Sequence, residues 1–264
     1  MRSKGMLAKI GIPENRVEEL QTIPTSKLFE AGLGGGPIVD GRSISDQTWE
    51  PNAPAVSAQA PMIVATCKDE SAWLIGERDP IHLTLDEREM RSRLMRSLGA
   101  SAADIEELVA IYQKARPAAT AGDIFFEISS DRSTRMNAIA QVERKTRQGR
   151  AAAYMYYFAY DPPVDGVKYR PFHTEELPLV LRLVRYPNSD KLSRQLAGAW
   201  AAFARHGNPG HSGIPSWPAY TLDQRATMVF NAENSHTEND PLRETRLKFL
   251  TLPTPPAGGR GRAG

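Results

Sequence analysis

The chain has 264 residues, room for one large domain or two small ones. Hydrophobic residues make up 41%, so a sizeable core is within reach, and 33 basic against 31 acidic residues give no electrostatic case for nucleic acid or an anionic membrane. Cys67 is the single cysteine, which excludes an intrachain disulfide and a cysteine-rich metal centre, and no apolar run approaches the roughly 20 residues of a membrane span.

Met6, Leu7 and Ile10 read as the end of an amphipathic helix closed by Gly11. Their scatter is not that of a signal peptide, and the chain reads as starting in mid-architecture. With a single cysteine this leans towards a cytoplasmic, disulfide-free protein. Arg16 to Ala31 predicts two short helices around a Thr22-Ile23-Pro24 break. Gly34-Gly35-Gly36 is read as a flexible loop, because no phosphate-loop lysine follows and no helix opens there. Trp49 to Ala60 is a Pro-, Ala- and Ser-rich surface connection. Pro61 to Cys67 is continuously apolar over strand length, the pattern of a parallel strand covered on both faces. Lys68-Asp69-Glu70-Ser71 ends it, and Ala72 to Ile75 begins a helix.

Leu85 to Gln148 is mostly helical. One stripe holds Met90, Leu94, Met95 and Leu98, stopped by Gly99. Ser101 with Asp104 resembles a capping box ahead of Ile105, Leu108, Val109 and Tyr112. Asp123 to Arg147 predicts one further helix. Arg91, Arg93 and Arg96, and Arg144, Lys145 and Arg147, are read as solvated helix faces. Tyr154 to Tyr160 is a second buried strand, bounded by Asp161-Pro162-Pro163. An Asp165-Gly166 turn then leads to His173, followed by Glu175 and Glu176 at a helix start. Ser189 is expected to cap a helix carrying Leu192, Leu196, Trp200 and Phe203 and closed by Gly207, with His206 meeting the helix dipole. A rigid aromatic turn at 215–220, a strand at Thr227 to Phe230 and an amphipathic piece at Leu242 to Leu250 follow. Residues 1–252 make one partial domain, and the Pro/Gly/Arg tail 253–264 should be disordered.

In open α/β sheets functional side chains sit just beyond the carboxyl ends of the strands. Glu70 follows one predicted strand and His173 follows the next, so the two can meet although distant in sequence. The carboxylate would fix the imidazole tautomer and stabilise the imidazolium. Asp69, Glu175 and Glu176 are read instead as acids near helix starts.

Several stretches then occur in one order: Gly36-Pro37-Ile38-Val39-Asp40-Gly41, Pro61 to Glu70, Phe172-His173-Thr174-Glu175-Glu176-Leu177-Pro178, Trp200 to Pro209, Trp217-Pro218-Ala219-Tyr220, and Arg225 to Phe230. Together they resemble the carboxyl-terminal half of type-B carboxylesterases, the cholinesterase and para-nitrobenzyl-esterase family. The resemblance implies an α/β fold, namely the last sheet strands and helical insertions of an α/β-hydrolase without its amino-terminal half. It also implies a serine carboxylesterase activity on a small-molecule ester, with Glu70 as triad acid, His173 as triad base and Trp73 lining the substrate gorge. No metal or organic cofactor, nucleic acid or membrane is implied; the expected partner is the amino-terminal half of the domain.

The sequence departs from the pattern in one decisive respect: it holds no G-x-S-x-G. In Gly210-His211-Ser212-Gly213-Ile214, isoleucine stands where the last glycine belongs, and Ser212 reads as surface loop. The isolated chain is therefore expected to be inactive. The alternatives are a non-catalytic remnant serving as a binding module, or an esterase with another nucleophile.

Overall fold

The computed structural model describes residues 2–32, 39–45, 47–76, 78–161, 171–184 and 186–253. The glycine loop 34–36, the Asp165-Gly166 turn and all but the first residue of the tail lie outside them. Two compact units are distinguished, Met1–Thr48 and Trp49–Gly264. The first holds helix α1 (Arg2–Lys9), ended by Gly11 at φ +73°, a 3-10 segment (Glu14–Gln21) and α2 (Thr25–Glu30). Those bounds follow the expected break before Pro24.

The second unit is built on a four-stranded sheet, β1 (Met62–Cys67), β2 (Ala153–Phe158), β3 (Ala226–Phe230) and β4 (His236–Asn239), in that spatial order. The first three are parallel, with Cys67 opposite Phe158 and Phe158 opposite Phe230; β4 is antiparallel to β3. Every residue of β2 and β3 is buried, as continuous apolar runs demand of strands covered on both faces. β2 stops at Phe158, two residues short of the expected Tyr160. β4, His-Thr-Glu-Asn, has no apolar alternation and was not expected from the sequence.

Between β1 and β2 run α3 (Glu70–Leu74), α4 (Glu87–Leu98), α5 (Ala102–Ala115), α6 (Ala121–Ser130) and α7 (Met136–Arg147). α4 is capped by the Asp86 carboxylate on the Glu89 N–H and ended by left-handed Gly99; α5 is capped by Ser101. A true capping box opens α6, with Thr120 and Asp123 bonding reciprocally. The single helix expected from Asp123 is interrupted by a π turn at Asp131–Arg135. Its extra residue re-aims the inward face. Ile124, Phe125 and Ile128 of α6 pack with α4 and α5, whereas Ile139 and Val142 of α7 pack on the sheet with Val64 and Met155.

The opposite sheet face is covered by α8 (Glu176–Val180) and α9 (Asp190–His206), with Leu192 and Leu196 against Tyr154, Tyr156 and Phe158. Trp217 fills the same layer, edge-on to Tyr154, Tyr156 and Phe230 at 5.8–6.1 Å between ring centres. A short α10 (Arg243–Leu247) completes the fold.

Four expectations change. Ser189 does not cap α9: its own backbone is helical and its hydroxyl donates to the Tyr186 carbonyl at 2.7 Å. Met95 and Trp200, at the margins of their stripes, stay 37% exposed. Lys145 is not on a solvated face. It is buried, and its ammonium is satisfied by the Ser57 and Ala58 carbonyls at 2.7 and 2.9 Å and by Gln148.

Gly122 sits where a Cβ would lie 2.8 Å from the His82 carbonyl oxygen and 3.2 Å from that of Leu83, both backbone. Gly122→Ala is therefore expected to destabilise the chain by about 1–3 kcal/mol, although alanine favours helix. A denaturant midpoint equal to or above wild type would contradict this packing. The outer edge of β1 has no strand partner among the described residues, and its Met62, Ile63 and Ala65 are only half buried. Such an edge pairs with other chains. Sedimentation at micromolar concentration should show self-association; a monodisperse, cooperatively melting monomer would argue against it.

Candidate active site

β1 and β2 run in parallel, so the chain leaves both at the same end of the sheet. The Lys68 N–H continues the ladder to the Phe158 carbonyl at 2.9 Å, and the Asp69 N–H reaches the Pro171 carbonyl at 3.0 Å. The first bond ties the segment after β1 to the end of β2, and the second clamps it to the segment that carries His173. Glu70 is the first residue of α3, whose start is fixed by the Ser71 N–H on Ser130 Oγ at 2.9 Å. Ser130 in turn donates to the Phe126 carbonyl, which ties α3 to α6.

The Glu70 side chain is 6% exposed and accepts two bonds: from the Cys67 N–H at 2.9 Å on Oε1, and from His173 Nδ1 at 2.5 Å on Oε2. Burial pushes its carboxyl above the usual range, opposed by the Cys67 N–H and by the imidazole. A proton on Nδ1 leaves His173 Nε2 as the basic nitrogen, on a side chain 44% exposed. The next residue, Thr174, has φ +72°, a conformation that costs a β-branched residue on the order of 1–3 kcal/mol and that clusters at functional sites. Turn bonds from the Glu175 N–H to Phe172 O and from the Leu177 N–H to Thr174 O, both 3.1 Å, hold it there. The arrangement is a buried carboxylate orienting a half-exposed imidazole, which can take a proton from a hydroxyl and return it.

Trp73, three residues after Glu70, is 40% exposed and stacks on Phe172 with ring centres 5.5 Å apart, forming an aromatic platform next to His173 in the chain. Phe172 was not singled out from sequence, although its place directly before the histidine was the available signal.

Asp69 precedes α3 but makes no capping bond. It is 4% exposed, and Oδ1 has no hydrogen-bond partner among the described residues. Burial raises its carboxyl to about 7, with Glu127 adding to the shift and Lys68 and Arg116 opposing it. Arg116 and Glu127 form their own bridge at 2.8 Å, with Glu127 2% exposed. Glu176 begins α8 as expected, but its carboxylate also accepts from the Cys67 thiol at 3.0 Å, a contact with no sequence signature.

Ser212 lies in an exposed turn. His211 is spent on holding that turn: Nδ1 accepts from the Gly213 N–H at 3.0 Å and Nε2 donates to the Gln195 carbonyl at 3.1 Å. His206 is exposed in the last turn of α9. Neither belongs to the Glu70–His173 pair.

Comparison with known proteins agrees with this architecture. The chain is 23% identical to the para-nitrobenzyl esterase of Bacillus subtilis over 271 aligned positions, covering 94% of this chain and 52% of that protein. It is 28% identical to mouse carboxylesterase 1C over 252 positions, 86% of this chain and 43% of that one. The solved carboxylesterase of Geobacillus stearothermophilus superposes with a TM-score of 0.73 at 29% identity, over 94% of this chain and 53% of the enzyme. The chain thus spans about half the length of these two proteins, the Bacillus and Geobacillus esterases. A model of the carboxylesterase family matches residues 14–250, and the chain belongs to that family.

Proposed function

We propose that this chain supplies the acid and the general base of a serine carboxylesterase, and that the nucleophile lies on a segment outside this sequence. In this reading residues 1–252 are the carboxyl-terminal half of an α/β-hydrolase domain, and the partner is its amino-terminal half. The observation that carries it is the 2.5 Å Glu70–His173 contact at the carboxyl ends of adjacent parallel strands. No G-x-S-x-G occurs in the 264 residues, which supports a serine supplied from elsewhere.

The steps proposed are those of an acid–histidine pair serving a serine. A serine Oγ attacks the ester carbonyl while His173 Nε2 takes its proton, and Glu70 stabilises the imidazolium on the other side. The imidazolium then protonates the departing alkoxide. A water deprotonated by the same nitrogen hydrolyses the acyl-enzyme. Every proton transfer uses one imidazole, so no metal or organic cofactor is needed. Trp73 and Phe172, the latter adjacent to His173 in the chain, form a stacked apolar pair suited to an uncharged small-molecule ester with an aromatic or bulky apolar group.

Co-expression with an amino-terminal esterase segment bearing G-x-S-x-G tests the reading. The expected result is hydrolysis of a para-nitrophenyl ester and fluorophosphonate label on the serine of the added segment. Label on this chain would assign a different nucleophile. A stable complex with neither label nor turnover would make the chain a binding module.

A further inference from the structure

The parallel strands deliver Glu70 and His173 to their carboxyl ends, and a second group of charges lies at the opposite end of the sheet. Arg225 stands directly before β3 and Asp240 directly after the antiparallel β4, so the Asp240 N–H meets the Arg225 carbonyl at 3.0 Å. These two strand ends, α7 and α10 border a cavity of about 260 Å³. Its apolar side is made by Met136, Ile139 and Ala140 of α7, by Leu247 of α10 and by Leu250, which is 69% exposed although apolar.

On the polar side three guanidinium groups converge on one buried carboxylate. Asp240 Oδ1 accepts from Arg246, Oδ2 accepts from Arg225 Nη1 at 3.0 Å, and Arg243 Nε stands 3.6 Å from Oδ2. Arg225 also donates to Glu143 at 2.5 Å, and the other oxygen of Glu143 takes a bond from Arg147 at 3.0 Å. Arg225 and Arg246 are thus spent inside the fold. Arg243 is not: its side chain is 50% exposed, and its nearest carboxylate oxygens among the described residues, at 3.6 and 3.9 Å, are too far for a hydrogen bond. Three arginines against the two carboxylates Glu143 and Asp240 leave the cavity one positive charge in excess. The backbone is constrained here as well. Arg225, Asp240 and Leu242 have φ of +54°, +49° and +57°, three of the six non-glycine residues at positive φ among those described. Such conformations persist only where the surroundings fix them, and they gather at ligand clamps.

We propose that this cavity binds an amphipathic carboxylic acid, its carboxylate taken by Arg243 and its aliphatic tail laid on Met136, Ile139 and Leu247. The surplus cation selects an anion, and the planar guanidinium fork matches a carboxylate. The apolar side selects against a bare inorganic ion. The volume lies just below the roughly 300 Å³ at which drug-sized sites begin, which suits a short tail. Acids of this kind are also released when an ester is cleaved. That link rests on the function proposed above; the site itself does not.

Calorimetric titration of the full 264-residue chain with octanoate, acetate and inorganic phosphate tests the site. Octanoate is expected to bind at least about tenfold more tightly than either of the others, because only its tail gains from the apolar side. Arg243→Gln removes the charge from a half-exposed side chain and should weaken octanoate by about tenfold. Ala140→Phe should fill the cavity and abolish binding. Trp73→Ala, at the other end of the sheet, should leave octanoate affinity unchanged. Octanoate binding no tighter than acetate would overturn the proposal, as would wild-type affinity in the Arg243→Gln chain. Loss of binding in Trp73→Ala would also overturn it, by placing the acid on the aromatic pair. Arg243-dependent binding in a chain whose assembled form turns over no ester would uphold the site and discard only its link to ester cleavage.

Discussion

Replacing His173 by alanine in the assembled two-segment enzyme is expected to lower kcat/KM for an ester by about a thousandfold or more. The size follows from the proposed role, in which the imidazole Nε2 carries the proton for both the attacking hydroxyl and the leaving alcohol. Glu70→Gln should come close to the same loss, roughly a thousand- to ten-thousandfold. The amide would still fill the site but could present its NH2 to Nδ1, which selects the wrong tautomer and leaves the imidazolium unsupported. The double variant should be little worse than the poorer single one, because the members of such a unit fail together. Steady-state kinetics on matched complexes settle this. A His173→Ala enzyme retaining a tenth of the activity would remove His173 from the mechanism; strictly multiplicative losses would mean that the two residues act separately.

The second large effect is on stability. Asp69 keeps its proton up to about pH 7 in the folded chain, whereas an unfolded aspartate loses it near 4. Between those values the native state binds more protons than the unfolded state, so stability falls as pH rises through this window. Asp69→Asn removes the charge and keeps the shape. The difference between wild type and variant should be small near pH 4 and grow to on the order of 4 kcal/mol in favour of the variant at pH 8. Urea titrations of both chains at several pH values isolate the contribution, because Glu70 and Asp131, which are also shifted upwards, are common to both. A difference that stays flat across the window would show that Asp69 is ionised in the fold.

The two strands that matter were legible, because continuous apolar runs such as Met62 to Cys67 have few other solutions. The meeting of Glu70 and His173 was legible as well, since parallel strands deliver their following residues to one end of the sheet. Trp73 was implied by the family resemblance and not by the residues themselves. What depends on backbone angles was not legible: Ser189 has the composition of a cap but a helical backbone. β4 carries no apolar signal, and the π turn at Asp131–Arg135 differs from ordinary helix only in its register. The Cys67 thiol and Glu176 meet across a long stretch of chain, a contact that residue types alone do not announce.

The two sides of the sheet also differ in what they invite. β4 is short and polar, with the backs of Glu238 and Asn239 exposed to water, so it is a poor seed for another strand. β1 is longer and apolar, and Glu70 follows three residues beyond its end. Growth of the sheet is thus directional, and the strand that Glu70 follows is the one a newcomer would join. If the proposed amino-terminal half joins the sheet at this edge, docking and completion of the active site would be a single event, and activity would track how much of the complementary segment is present.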